Sequence, residues 1–566
     1  MKKLKGLGPR AYNTLFHTHT VAGIVISFGL FIIFYAGAYT LFYHELKQWE
    51  NPDLRQPMPA IDEVDYDLFV QKVDEAYNLD YTKRVNVYFP SEHEPIIKMY
   101  AQGHTSDSTT ESVAVHYSHE DQQIHDAKEE KTTLGNTIYG LHYFHQIPFV
   151  GLYLAGFVAL FFLFASVTGI LIHWRNLLTK FYSFIKEGKW KLIWTNAHTV
   201  LGVIGLPFQV MYAITGAFFG LLVLILLPAV FLKYDGDVEK VYGKIIPFYG
   251  VEVNEEAPAS DNYTIVDLFK QVKADYPDHT FTRTQILNYG KEDALILFAL
   301  DDAEEIHAAG SIVMNMKSGE VVEKYSQFPQ KRTYSYAVVD YIFKLHFASF
   351  GGFFMKLVYF VMAMITAFMI ISGVLLWREA RNNNRYTYKQ KLFHHRVTKA
   401  YLAICLGLFP AFGVLFLANK LVPWEMEGRA ELVEQIFLLG WLLLTIMGLF
   451  WNKYSQQNRN YLIIGGVLSI LIPIANGVMT GGWIWNMWGP YPWVAYVDMF
   501  WLFAGLTALL LSLFVLKVKD DSDKPKPPVE KVKPKEERLP VPEKIMTPNP
   551  LKELVLKFKS LRSTGA

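Results

Sequence analysis

Apolar and polar positions alternate along this chain in long blocks rather than single residues. Apolar runs with at most two charged residues each fall at about 17–43, 149–174, 198–230, 353–377, 398–420, 432–451, 460–480 and 494–516. Each is about 20 residues or longer, the length of helix that crosses a bilayer's hydrocarbon core. The pattern predicts a polytopic α-helical membrane protein with about eight transmembrane helices. The first run, VAGIVISFGLFIIFYAGAYTLF (21–42), is too long for a signal-peptide core and no small-residue cleavage site follows it, so a retained helix is expected.

Two polar segments, about 44–148 and 231–345, are long enough for small domains. In each, an amphipathic helical pattern comes first: YDLFVQKVDEAY (66–77) and YTIVDLFKQVKADY (263–276). Strand-like runs follow, RVNVYF (84–89) and DALILFAL (293–300), the second too apolar to alternate cleanly. A small α+β module occurring twice is the economical reading.

Charge adds direction. Residues 1–18 carry Lys2, Lys3, Lys5 and Arg10 with no acid. The connector after the second helix carries Arg175, Lys180, Lys186, Lys189 and Lys191 against Glu187, and that after the fourth carries Arg378, Arg381, Arg385, Lys389, Lys391 and Arg396 against Glu379. Positive connectors stay cytoplasmic, which puts both termini inside and both modules outside. The tail beyond about 520 is rich in Lys, Pro and Glu, and LKELVLKFKSL (551–561) reads as an amphipathic stretch. The expected layout is a first helix (1–43), a module (44–148), two helices (149–230), a second module (231–345), a fourth helix (346–380), four further helices (398–516) and a cytoplasmic tail (517–566).

The chain also repeats itself. His19 opens HTVAG (19–23) and His198 opens HTVLG (198–202), each at the cytoplasmic start of a predicted helix. His142 lies in LHYFH (141–145) and His346 in LHFAS (345–349), each at the outer start of the next helix. Gly169 and Gly373 follow these two histidines at the same interval, 142 to 169 and 346 to 373, in TGILIHW and SGVLLW. Both copies enter from the same side, so they are parallel repeats about an axis along the membrane normal. His19 then faces His198 at one depth, and His142 faces His346 at another.

Histidine beside a membrane helix is costly unless paired or ligating. Two facing imidazoles can hold one haem iron axially, whereas zinc asks for three or four ligands. The lone cysteine, Cys405, excludes an internal disulfide, a cysteine-ligated iron–sulfur cluster and a CxxCH attachment. Any haem is therefore non-covalent. Two pairs at two depths suggest two b-type haems in series, with Gly23 and Gly202 letting the macrocycle approach the backbone.

Other histidines compete. His395 in FHHRVTKAYL (393–402) rivals His19 or His198, while His145 and His17 neighbour the favoured residues but lack repeat-matched partners. His93, His104, His116, His119 and His125 crowd the first module, where a metal site competes with scattered solvated side chains. Lys331 and Arg332 are candidates for pairing with propionates or an anionic chelate, or for anchoring at the interface. GGWIWNMWGPYPW (481–493) is an aromatic belt or an apolar lip for a bulky ligand.

The histidine-led starts (HTVAG, HTVLG), the LHYFH and LHFAS segments and the TGILIHW and SGVLLW ends resemble PepSY-associated transmembrane proteins, over about residues 10–380. The two outer segments resemble PepSY modules. The resemblance implies an iron-regulated bacterial inner-membrane protein, similar to ferric-siderophore reductases with two b-type haems. It carries ligand roles onto His19, His198, His142 and His346. The expected acceptor is a ferric siderophore or other iron chelate on the outer side. No flavin or nicotinamide motif appears, so a quinol or a separate cytoplasmic reductase is the expected donor; no nucleic-acid partner is expected. The four helices from 398 to 516 depart from the family pattern. Two rival classes remain, a membrane sensor or scaffold whose modules bind protein or peptide, and an iron-chelate transporter. Against the transporter, the helices read as lacking buried charge pairs, with Asp498 nearly alone.

Overall fold

The computed structural model describes residues 7–515 and 525, apart from 93, 105–109, 118–121, 127–131, 177–178, 180, 182–188, 244–245, 247, 250, 252–253, 302–308 and 329–331. Among the described residues, eight helices are long and apolar enough to cross a membrane. They are α1 (Pro9–Thr40), α5 (Gly151–His173), α7 (Leu206–Lys233), α10 (Gly352–Arg381), α11 (Tyr388–Leu421), α12 (Arg429–Phe450), α13 (Tyr454–Thr480) and α14 (Pro492–Val515). The chain is a polytopic membrane protein. Shorter helices intervene: α2 (Tyr43–Glu50), α3 (Tyr66–Tyr77), α4 (Leu134–His142), α6 (Trp190–Ile204), α8 (Ile265–Asp275) and α9 (Tyr334–Phe347).

The apolar run expected as one helix over 198–230 is two, α6 and α7, meeting at Gly205. Pro207 lacks the N–H that would continue the ladder to the carbonyl of Val203, and it suits the first turn of α7 instead.

α1 is the hub of the bundle. Its Phe34, Tyr35 and Tyr39 are buried with Phe162 of α5, Ile370 of α10, Phe412 of α11 and Trp501 of α14 in one apolar core. The rings of Tyr39 and Trp501 stack at 5.9 Å, and those of Tyr39 and Phe412 pack at 4.9 Å. The four late helices are therefore packed on the repeat, α11 innermost.

The two modules differ from expectation in one respect. Their strands make a single antiparallel sheet of seven strands among the described residues, in the order β4-β3-β2-β1-β5-β6-β7. The strands are β1 (Val85–Tyr88), β2 (Ile97–His104), β3 (Thr110–Tyr117), β4 (Ile124–Asp126), β5 (Thr280–Leu287), β6 (Leu295–Asp301) and β7 (Gly310–Asn315). β1 pairs with β5 across the two copies, Asn86 opposite Gln285. A small sheet leaves unpaired edges, and here each module closes the other's. Helices α3 and α8 cover one face with Phe69, Val73, Leu268 and Phe269 against Val85, Met99, Ile286 and Phe298. Phe248 covers Leu287, Leu297 and Val313 on the other face of the second half. Burial on both faces explains why DALILFAL shows no alternation.

Candidate functional site

The four repeat-matched histidines come together as two pairs. The rings of His19 on α1 and His198 on α6 lie 6.2 Å apart between centroids, inclined at 64°. Those of His142 and His346 lie 6.0 Å apart, inclined at 50°. Neither of the second pair opens a membrane helix, as the sequence had suggested. His142 ends α4 and His346 stands in the last turn of α9, so each arrives on a short helix preceding the long one. Likewise His19 and His198 lie inside helices that begin earlier, at Pro9 and Trp190.

Each imidazole is held through Nδ1. His19 Nδ1 donates to the carbonyl of Ala165 at 2.9 Å, His198 to that of Met369 at 3.0 Å and His142 to that of Ile33 at 2.8 Å. His346 Nδ1 donates to the hydroxyl of Thr215 at 2.8 Å, which itself donates to the carbonyl of Met211 at 2.8 Å. A carbonyl only accepts, so Nδ1 carries the proton and Nε2 keeps its lone pair. That is the hydrogen-bonding state of a metal-bound histidine.

Each ring also rests on a glycine of a neighbouring helix. A Cβ on Gly169 would come within 3.3 Å of His19, one on Gly373 within 2.9 Å of His198, and one on Gly37 within 2.6 Å of His142. Gly216 approaches His346 at 4.0 Å by the same measure. Gly37 and Gly216 follow His19 and His198 at equal intervals, 19 to 37 and 198 to 216, and Ala165 and Met369 follow His142 and His346 likewise. Gly169 and Gly373 were read in the sequence only as marks of the repeat; Gly37, Gly216, Ala165 and Met369 were missed, though their matched spacing was available to find them.

The pairs suit an iron between them. A metal–imidazole bond is about 2.0 Å and the bonded nitrogen stands about 1.1 Å from its ring centre, so two imidazoles sharing one metal place their centroids about 6.2 Å apart. Both pairs are within a few tenths of an ångström of that. Gly23 and Gly202, one turn beyond His19 and His198, leave open space where a Cβ would stand. The two levels are well separated: His142 is bonded to Ile33, and 19 to 33 along α1 spans about 21 Å at 1.5 Å per residue.

The rival histidines go elsewhere. His395 is buried among the late helices, its Nδ1 at 2.8 Å from the hydroxyl of Tyr454. His145 is exposed beside Tyr143, and His17 is exposed on α1. In the first module, His116 lies opposite His125 in the β3–β4 register and His104 is 4.0 Å from Asp80. His93, His119, Lys331 and the stretch 551–561 lie outside the described residues. Arg332 is committed to Asp340 at 2.7 Å and to the carbonyl of Ala309 at 3.2 Å. In the aromatic connector, Trp483 and Trp485 stack at 5.1 Å, and Trp493 packs on Phe353 at 5.3 Å. Trp485 and Trp488 stay exposed.

Asp498 is not nearly alone, contrary to the sequence reading. It accepts from Trp49 Nε1 at 2.8 Å and from Asn476 at 2.7 Å. Lys420 and Arg55 lie near it, and Lys420 in turn neighbours the buried Glu50–Arg429 pair, 3.0 Å apart. These charges come from segments hundreds of residues apart, which no local pattern reveals.

The chain matches the family model of the PepSY-associated TM region over residues 16–380. No curated protein matches the chain.

Proposed function

This chain belongs to the PepSY-associated TM family, and from that premise we propose that it is a transmembrane oxidoreductase with two b-type haems, reducing a ferric chelate. The observation that carries the reading is the pair geometry: two histidine pairs at about 6 Å, every Nδ1 engaged and every Nε2 available. His19 and His198 would hold one haem, His142 and His346 the other. When bound, such groups supply one-electron carriers at two depths.

The chain's own residues do the rest. The carbonyls of Ala165, Met369 and Ile33 and the hydroxyl of Thr215 fix each ring's tautomer and make its Nε2 a stronger donor. The glycines at 37, 169, 216 and 373 hold the rings against neighbouring backbones, which limits their rotation. The apolar walls, among them Phe34, Phe162 and Tyr212, keep water from the space between the levels.

The proposed placement is the bacterial inner membrane, termini inside and the joined modules outside. A quinol or a separate cytoplasmic reductase gives up electrons at the His19–His198 side. On the module side one electron converts a chelated ferric ion, in a siderophore or another chelator, to the ferrous ion. Ferrous iron is a softer, weaker partner for oxygen chelators, so the metal is released.

The test is the absorption spectrum of protein purified after haem-replete expression. A bis-imidazole spectrum with two haems per chain, re-oxidised by ferric chelates, is expected. Protein without haem would overturn the reading.

A further inference from the structure

We propose that Glu50 is a positioning residue for the His142–His346 site, and that two of the four late helices, α11 and α12, serve to hold it there. The proposal rests on the haem reading above and gives these two helices a role in it.

Glu50 ends α2 and is buried. Its two carboxylate oxygens accept from the backbone N–H groups of Thr133 and Leu134, each at 2.9 Å. These are the first amides of α4, the helix that ends at His142. The first N–H groups of a helix lack intrahelical acceptors, and a carboxylate there both satisfies them and complements the helix dipole. α4 has no side-chain cap of its own, because the Thr133 hydroxyl is engaged with Thr137 and with the carbonyl of Ala430. Glu50 takes the place of the cap from another helix.

A buried carboxylate needs further donors and a counter-charge. Both come from the late helices. Asn419 Nδ2, at the end of α11, donates at 2.5 Å, and Arg429, at the start of α12, donates at 3.0 Å. Arg429 also donates to the carbonyl of Asn419 at 2.5 Å. Lys420 donates to the carbonyl of Trp49 at 2.6 Å and to that of Glu50 at 3.3 Å, occupying the carbonyls that end α2. Beyond His142, Gln146 donates to Glu434 of α12 at 3.1 Å. The α2–α4 corner is thus gripped at both ends of α4.

The lever explains why this matters to the ligand. α4 has nine residues, too few to be stable alone. Leu134 to His142 spans about 12 Å at 1.5 Å per residue, so a swing of about 10° at the capped end displaces the far end by about 2 Å, several times the ~0.5 Å tolerance of a ligand site.

The experiment uses the full-length protein. Wild type, Glu50→Gln, Glu50→Ala, Asn419→Ala and His142→Ala are compared by haem stoichiometry, by spectra during redox titration, and by amide hydrogen exchange. Gln keeps the size of Glu50 but turns one acceptor into a donor facing the α4 amides. Expected for Glu50→Gln is loss or a shifted potential of the same haem that His142→Ala removes, with the other haem unchanged. Exchange over 133–146 should quicken at least tenfold while 334–347 stays as in wild type. Glu50→Gln and Asn419→Ala both matching wild type in all three readouts would overturn the proposal. So would loss of both haems with faster exchange throughout, which marks a general loss of folding. A wild type without haem would overturn the underlying reading and this proposal with it; a two-haem wild type with unaltered Glu50 variants overturns this proposal alone.

Discussion

The helices carrying His142 and His346 are repeat counterparts, yet they are supported in opposite ways. α9, with His346, is held by its own copy: Thr333 caps it, Arg332 pairs with Asp340 at 2.7 Å, and Lys344 reaches Asp301 of β6 at 2.8 Å. α4, with His142, is capped by Glu50 of its own copy, but that carboxylate is held in turn by Asn419 and Arg429 of helices outside the repeat. The ligand ends match, whereas the far ends do not. The histidine ends meet the other copy, whereas each far end is held by whatever segment lies beside it.

The largest expected effect tests whether the pairs are independent. On the proposed two-haem reading, His142→Ala or His346→Ala should lower haem from two per chain to one and leave the His19–His198 site unchanged, read from the haem stoichiometry and the remaining spectrum. Loss of both haems, or of neither, would break the pairing.

Next comes the asymmetry itself. Arg429→Met leaves the Glu50 carboxylate buried without its counter-charge, a change that costs about 3–5 kcal/mol. The thermal midpoint of the purified protein should fall sharply. Lys344→Met removes the matching support in the other copy, but Asp301 is partly solvated and the cost should be about 1 kcal/mol or less. Equal losses would mean that the two helices are held alike.

Thr215→Val probes a difference within one pair. His346 is held at Nδ1 by a hydroxyl in place of the carbonyl that holds each of the other three rings (His19 Nδ1, bonded to the Ala165 carbonyl, also lies 3.3 Å from the Thr168 hydroxyl), and the repeat-equivalent of Thr215 is Ala36. Loss of such an outer partner lowers metal affinity by roughly tenfold or more. Haem retention at that level should weaken by about that factor, measured by competition with an apo-globin, with no change at the other level.

The smallest effect lies in the sheet. Burial, with Lys98 and Lys47 nearby, pushes the His116 imidazole of β3 down to about 4 from the usual 6.5. As pH falls from 6.5 towards 4, the unfolded chain takes up a proton that the folded one excludes, so stability drops across that window and levels off below it. Strands β5–β7 carry no histidine. The first half of the sheet should therefore loosen before the second, seen as lower amide protection (exchange corrected for the intrinsic rate at each pH) in β2–β4 at pH 4.5 than at pH 7, with β5–β7 little changed. His116→Asn should flatten the dependence.

Much of this was legible along the chain, because it is one-dimensional. Apolar length alone marks the spans, which a bilayer requires. The interval from 142 to 169, repeated from 346 to 373, matches His142 with His346, and the HTVAG and HTVLG starts match His19 with His198. The alternation in VNVY and the amphipathic helix before it place a module. Less legible was the break at Gly205, since a single Pro207 reroutes a helix without changing its apolar character. The fusion of the modules through β1 and β5 was hidden too, because an edge strand looks the same whether free or paired.

The sequence by itself determined the membrane spans, the duplication and the choice of histidines, since each follows from residue type and spacing. Tertiary structure alone decided what holds those histidines. Glu50 and Arg429 stand 379 residues apart, and His142 and Ile33 stand 109 apart. Such partners are chosen by burial, where a carboxylate or ring nitrogen must find a donor or acceptor in whatever segment the fold brings within 3 Å. Spacing along the chain marks which positions recur in the two copies, but not which of them meet.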